Sequence, residues 1–339
     1  MSPAIRPIRL IRLLPVLGSL IAAAAPAQAP APDAGRAQVS TRERGAMPDF
    51  DYHLQPRRVA DGVYMIEGRR EDFSTENGGN IVNTGFIVGN SGVIVIDTGP
   101  SRRYGEQLRA AIARITPLPV VLTLNTHHHP DHFLGNQAFP PATLAALTET
   151  ITGIETEGGA FNDNMYRLNG DWMRDTEVVV PQQRIAPGRR MVGGRDIELL
   201  ALGGHTAADL VLIDHATGTL FASDLVFNHR APTTPHADLA RWIAALASLA
   251  ELPVRHYVPG HGPASDDASP LLETRAYLEW LGHAIHEAAA GGMDMAEVLA
   301  RPVPSRFTAL ALADREYRRS VSHLFPAAER AALVPSTPR

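Results

Sequence analysis

Thr126-His127-His128-His129-Pro130-Asp131-His132 is the stretch on which the fold turns. Imidazoles and carboxylates this close together cannot share one helix face or one strand face, so a loop must fold them around a point. They are the ligand types a zinc ion takes. The run before them, residues 119–124, is apolar enough for a strand buried on both faces. Taken alone, the stretch would also suit a polyhistidine surface loop.

Three later positions weigh against the surface reading. Gly203-Gly204-His205-Thr206 follows a strand expected over 196–202, Ser223-Asp224 closes one expected over 219–223, and Pro259-Gly260-His261-Gly262 ends one expected over 256–258. Each time a ligand-type side chain stands where a strand gives way to a loop, mostly beside small residues that let the backbone turn tightly. Upstream, residues 62–66, 81–88 and 92–96 read as strands. Ser101 is placed to cap a helix with Leu108, Ala111, Ile112 and Ile115 on one face, and Pro117 ends it. This strand, helix, strand order predicts layered α/β architecture with a ligand site at strand ends. Residues 148–175 read as helix, 177–180 as strand, and 209–214 with 219–223 as a hairpin. Leu239, Ile243, Leu246 and Ala250 mark a further helix, and the chain is helix-forming from Pro270 onward.

Composition removes most rival chemistries. The 339 residues contain no cysteine, and all 31 basic residues are arginine, without one lysine. Thiolate nucleophiles, cysteine-rich metal sites and disulfides are excluded with the first absence, Schiff bases and a phosphate-binding P-loop lysine with the second. The 14 histidines and the carboxylates are left to do the chemistry. A formal charge of -5 without a basic run argues against nucleic acid as a partner. Arg6, Arg9 and Arg12, an apolar run over 13–25 and Ala25-Pro26-Ala27 read as a signal peptide over residues 1–27, followed by a flexible leader over 28–49. Removing 1–27 takes away three arginines and no acid, so -5 becomes -8. The expected mature protein is periplasmic or secreted, with no stable membrane span.

With these residues in hand, His127-x-His129-x-Asp131-His132, His205, Asp224 and His261 resemble the full ligand set of the metallo-β-lactamase superfamily. Asp97 in Val95-Ile96-Asp97-Thr98-Gly99 matches its second-strand aspartate. Glu76-Asn77-Gly78-Gly79-Asn80, Asp97-Thr98-Gly99-Pro100-Ser101 and Trp242 narrow the resemblance to exported zinc metallohydrolases associated with quinoprotein systems. It implies a four-layer αββα sandwich over residues 50–268, with a helical C-terminal segment over 269–339 packing on it. His127, His129 and His205 would take one Zn2+ and Asp131, His132 and His261 a second, bridged by Asp224; iron or manganese would also suit the donors. A metal-bound hydroxide, oriented by Asp131, would attack the carbonyl of a lactam, lactone or thioester. Asp97 would hold a histidine or the motif loop.

Several expectations concern what the metals do not decide. The alternative function is a non-hydrolytic metal-binding or relay component of a periplasmic quinoprotein dehydrogenase system, that dehydrogenase then being a partner beside a small-molecule substrate. His128 falls at the variable position of the motif and is expected on the surface or behind the ligands. His53, His215, His229, His236, His256, His283, His286 and His323 lack ligand spacing and read as ordinary. The loop over 67–80, with Arg69 and Arg70, is long and charged enough to contact an anionic substrate.

Overall fold

Residues 50–333 are described by the computed structural model; the signal peptide and leader expected over 1–49 lie outside them, as do 334–339. One sheet runs in chain order through β1 (Arg57–Ala60), β2 (Val63–Ile66), β3 (Thr84–Val88), β4 (Val93–Ile96), β5 (Val120–Leu124), β6 (Leu144–Ala146) and β7 (Gln183–Arg184). Its first four strands are antiparallel neighbours, and from β4 to β7 the pairing is parallel. The second sheet contains β8 (Gly188–Val192), β9 (Arg195–Leu202), β10 (Asp209–Asp214), β11 (Thr219–Phe227) and β12 (His256–His261), in spatial order β12-β11-β10-β9-β8.

The apolar strands are buried on both faces because each face has its own partner layer. On β4, Ile94 and Ile96 join Leu210, Leu212 and Phe221 of the second sheet between the sheets. Val93 and Val95 point the other way, onto Tyr104, Leu108, Ala111 and Ile112 of helix α1 (Arg102–Ile115). The same alternation turns Val211 and Ile213 of β10 outward, beneath α4 (Leu239–Ala250), α5 (Ser269–Ala290), α6 (Met295–Leu299) and α7 (Ala313–Leu333). Helix, sheet, sheet, helix is the four-layer order expected. The short helix α2 (Pro130–Phe133) and the long helix α3 (Thr148–Asn169) sit at the end of the sandwich where β5 delivers the histidine loop.

Local signals account for the element ends. Ser101 Oγ accepts from Tyr104 N at 3.1 Å and caps α1, and Thr116 ends it before Pro117. The expected strand over 177–180 is corrected: those residues join no sheet. Side chains meet the backbone there instead, Gln137 Oε1 accepting from Glu177 N and Asn136 Nδ2 donating to Val179 O. Val178 and Val180 pack against the small cluster of Phe133, Ile154 and Met165, so burial in that cluster overrides strand propensity. The strand expected over 81–88 begins only at Thr84, and those expected to end at 223 and 258 run on to Phe227 and His261. Among the described residues no helix is long and apolar enough to cross a membrane.

Phe325 on α7 is fully buried in the same apolar cluster as Val211, Leu246 and Leu281. Phe325→Ala is expected to cost about 3–5 kcal/mol, read as a lower urea midpoint at unchanged m-value. A loss below about 1 kcal/mol would show that α7 covers the sheet without contributing to its core.

Candidate metal centre

Strand ends from both sheets deliver the site. Asp97 follows the end of β4, and Asn125 and Thr126 follow β5, after which 127–129 turn and Pro130 starts α2 at its first position, where its fixed φ suits a helix start. His205 lies between β9 and β10. Along β11 the register against β12 shifts between Phe221 and Ser223, and Ser223 takes a left-handed backbone with φ 50°. This bulge aims Asp224 inward. Opposite it, a Cβ on Gly260 would stand 1.9 Å from Asp224 Oδ1, so glycine is required there. Asn83, a residue the sequence reading did not single out, donates to Pro259 O at 2.8 Å and Gly262 O at 2.6 Å and ties the His261 turn to the first sheet.

All seven expected metal ligands come together, in two sets: His127, His129, His205 and Asp224, and Asp131, His132 and His261. In the first, His127 Nε2 and His205 Nε2 lie 3.0 and 2.9 Å from His129 Nδ1, and His205 Nε2 is 3.4 Å from Asp224 Oδ2. In the second, Asp131 Oδ2 is 3.8 Å from His132 Nε2 and 3.6 Å from His261 Nε2. Asp224 stands between the sets, with Oδ1 3.2 Å from His132 Nε2 and Oδ2 3.1 Å from His261 Nε2. His132 Nε2 and Asp224 Oδ1 are both buried and form no hydrogen bond despite that approach. Lone pairs that face a shared point instead of each other are what a divalent ion's ligands present.

Behind the ligands, the remaining ring nitrogens of His132 and His261 are anchored. Asp97, itself left-handed at φ 59°, accepts from His132 Nδ1 and from Thr126 N and Oγ1, each at 2.8 Å. Ile81 O accepts from His261 Nδ1 at 2.7 Å. Asp209 accepts from His205 N at 3.1 Å and Thr206 Oγ1 at 2.6 Å, fixing the His205 turn, and burial pushes its carboxyl up to about 7. Burial drives His127 and His129 well below the ordinary imidazole value and His205 down to about 3, leaving neutral rings with a free lone pair. Burial opposes ionisation of Asp224, but the facing His261 and His132 rings hold its carboxyl well below the usual range.

A pocket of about 310 Å³ opens onto His129, Asp131, His205, Asp224 and His261. Its walls depart from expectation in two ways. Arg69 and Arg70 do not reach it; they line a separate shallow depression with Glu67 and Glu71, and the loop meets the pocket through Asp72 and Phe73. The arginines present are Arg230, almost wholly buried, and Arg315 and Arg319 of α7. Arg315 Nε and Arg319 Nη2 pair with Asp72 at 2.7 and 2.9 Å, and Arg230 Nη2 lies 3.5 Å from the buried Glu316. His236 and His323, read as ordinary, also line it.

Asp97→Asn keeps the size of the side chain but has one accepting oxygen, so it cannot serve both Thr126 N at the one position and Thr126 Oγ1 with His132 Nδ1 at the other. Affinity for Zn2+, measured by competition with a chromophoric chelator, is expected to fall 10- to 100-fold; unchanged affinity would show that His132 is held without Asp97.

The family model of the metallo-beta-lactamase superfamily matches residues 77–261, more than half of the chain. Acyl-coenzyme A thioesterase MBLAC2 of Bos taurus is 25% identical over 240 residues, which cover 60% of this chain and 80% of the relative. Hydroxyacylglutathione hydrolase of Cyanothece sp. is 28% identical over 176 residues, 47% of this chain and 59% of that protein. A metallo-beta-lactamase structure from Pontibacter korlensis shares the fold at a TM-score of 0.54 and 22% identity, covering 67% of this chain and 99% of its own. With its fold, its ligand-bearing strand ends and the family match in agreement, the chain belongs to the metallo-beta-lactamase superfamily.

Proposed function

We propose that the protein hydrolyses an anionic small molecule at a carbonyl carbon, a thioester ahead of a lactone or lactam, with two zinc ions in the pocket. The observation that carries this reading is the pair of ligand sets facing each other across the single carboxylate of Asp224. His127, His129 and His205 would hold one ion, Asp131, His132 and His261 the other, and Asp224 would serve both. Ions held there supply Lewis acidity and a water that ionises near neutral pH. Asp131 lines the pocket wall and orients the attacking water. His132 and His261 are locked by Asp97 and Ile81 O, so the ligand geometry is set before substrate arrives.

The charge of the substrate is read from the wall. Arg230, Arg315 and Arg319 line the roof of the pocket and face Asp72 beside them and the buried Glu316 behind, three cations against two acids. An anionic end group balances that excess, and a guanidinium meets a carboxylate or phosphate through paired N–H groups. Thioesters lead because one relative is named as an acyl-coenzyme A thioesterase, and both relatives are named as hydrolytic enzymes. That leaves the non-hydrolytic relay, with its quinoprotein partner, as the less favoured reading. Export rests on the N-terminal segment alone.

Zinc-reconstituted protein assayed on a thioester, a lactone and a chromogenic β-lactam tests the reaction. Thioester turnover lost at least 1000-fold in Asp224→Ala is the expected result; two bound ions without turnover of any panel member would favour the relay. Arg315→Met with Arg319→Met is expected to raise KM for an anionic thioester about tenfold, roughly 1.4 kcal/mol, with kcat little changed. An equal effect on a neutral thioester would remove the anion-binding role.

A further inference from the structure

The wall of the pocket changes character from one ligand set to the other. Phe161 and Leu168 of α3 line it from one face of that helix, with Asn164 between them. The Phe161 ring stands 6.1 Å from that of His129 at 87°, so this face of α3 adjoins the first set. Leu168 keeps 39% of its surface exposed. The cations adjoin the second set. Arg230 places its guanidinium 5.7 Å from the centre of the Phe227 ring, and Phe227 is stacked on His261 at 5.1 Å and 13°. Arg319 Nη1 donates at 2.7 Å to Oε1 of Glu316, the same oxygen that Arg230 Nη2 approaches to 3.5 Å, so α7 continues the cationic wall from there.

The loop between β2 and β3 serves both walls with consecutive residues. Asp72 accepts from Arg315 and Arg319, whereas Phe73 joins Phe161 in packing against Phe133 and Ile154. Asp224 stands between the two ligand sets. A carbonyl carbon held beside it therefore has apolar surface on one side and guanidiniums on the other. An anionic group set against Phe161 and Leu168 would lose its hydration without gaining a partner. Against Arg230 and Arg319 it gains paired N–H donors.

We propose that the substrate is a thioester whose acyl half is apolar and whose thiol half carries the anion, with the acyl group against Phe161 and Leu168 and the thiol half running to Arg230 and α7. This rests on the reading of the site as a thioester hydrolase and adds which half bears the charge. Water bonds through its oxygen to the carbonyl carbon, and the carbon–sulfur bond breaks with its electron pair passing to sulfur. One proton of the water ends on the thiolate and the other in solvent as the acid ionises. The anionic thiol thus leaves on the side of the second set, and the acid stays on the apolar wall. At about 310 Å³ the pocket is at the small end for a ligand site, which suits a short acyl group.

Two isomers of equal charge test the assignment on the zinc-reconstituted full-length protein. S-butyryl-β-mercaptopropionate carries its carboxylate in the thiol half, and the S-propyl monothioester of succinate carries it in the acyl half. Each kcat/KM is divided by the rate of hydrolysis by hydroxide alone, and the first isomer is expected to be favoured at least tenfold. Equal or reversed preference would overturn the assignment and leave thioester hydrolysis standing, whereas no turnover of either isomer would remove both readings. Calorimetric titration with thioethers, which cannot be hydrolysed, reads the apolar wall without turnover. A buried methylene is worth about fourfold in affinity, so S-butyl-β-mercaptopropionate is expected to bind at least fivefold more tightly than its S-methyl analogue. Leu168→Ala, at an exposed position, is expected to narrow that ratio at least threefold. Equal affinity for the two thioethers, or an unchanged ratio in Leu168→Ala, would show that the acyl group lies elsewhere.

Discussion

Asp224 is one buried carboxylate asked to face two sets of ligands, and the surrounding structure follows from that requirement. A buried carboxylate is costly unless charge and lone pairs around it are arranged in advance. The arrangement uses backbone as much as side chains: the shift in β11, the left-handed Ser223, the missing Cβ of Gly260. Neutral His127, His129 and His205 lie on one side, and His132 and His261 on the other. The sandwich supplies the buried seam, since β4 and β5 end on one side of it and β11 and β12 on the other.

How much of this was legible in the sequence depends on whether a residue's neighbours in space are also its neighbours in the chain. The heptapeptide at 126–132 declares itself because its ligands are adjacent, and His205, Asp224 and His261 because each follows an apolar run. Asn83 gave no such sign, as its partners Pro259 and Gly262 lie far along the chain. Neither did His236, whose contact with His129 spans 107 positions, or Arg319, which meets Asp72 across 247. The valines at 178–180 misled for the opposite reason: a strong local preference lost to side chains from elsewhere. Motif loops are local facts, whereas pocket walls are assembled from afar.

The lysine-free composition gains a concrete meaning at the roof of the pocket. Three guanidiniums, two of them in α7, hold fixed planar donors against Asp72 and Glu316. Such donors are pre-oriented and lose little freedom on meeting an anion. The C-terminal helices are thus more than a cover for the second sheet, since one of them forms a wall of the same pocket that the strand ends floor.

Asn83, in binding both flanks of the His261 turn, also imposes a chronology. Its partners are 176 and 179 residues downstream, and His261 sits on the last strand of the second sheet. A growing chain therefore carries its histidine loop for more than a hundred residues before the last opposing ligand, His261, exists. The roof arrives later still, with Arg315 and Arg319. Until then the floor of the pocket has its full set of ligands but lacks the wall that α7 supplies.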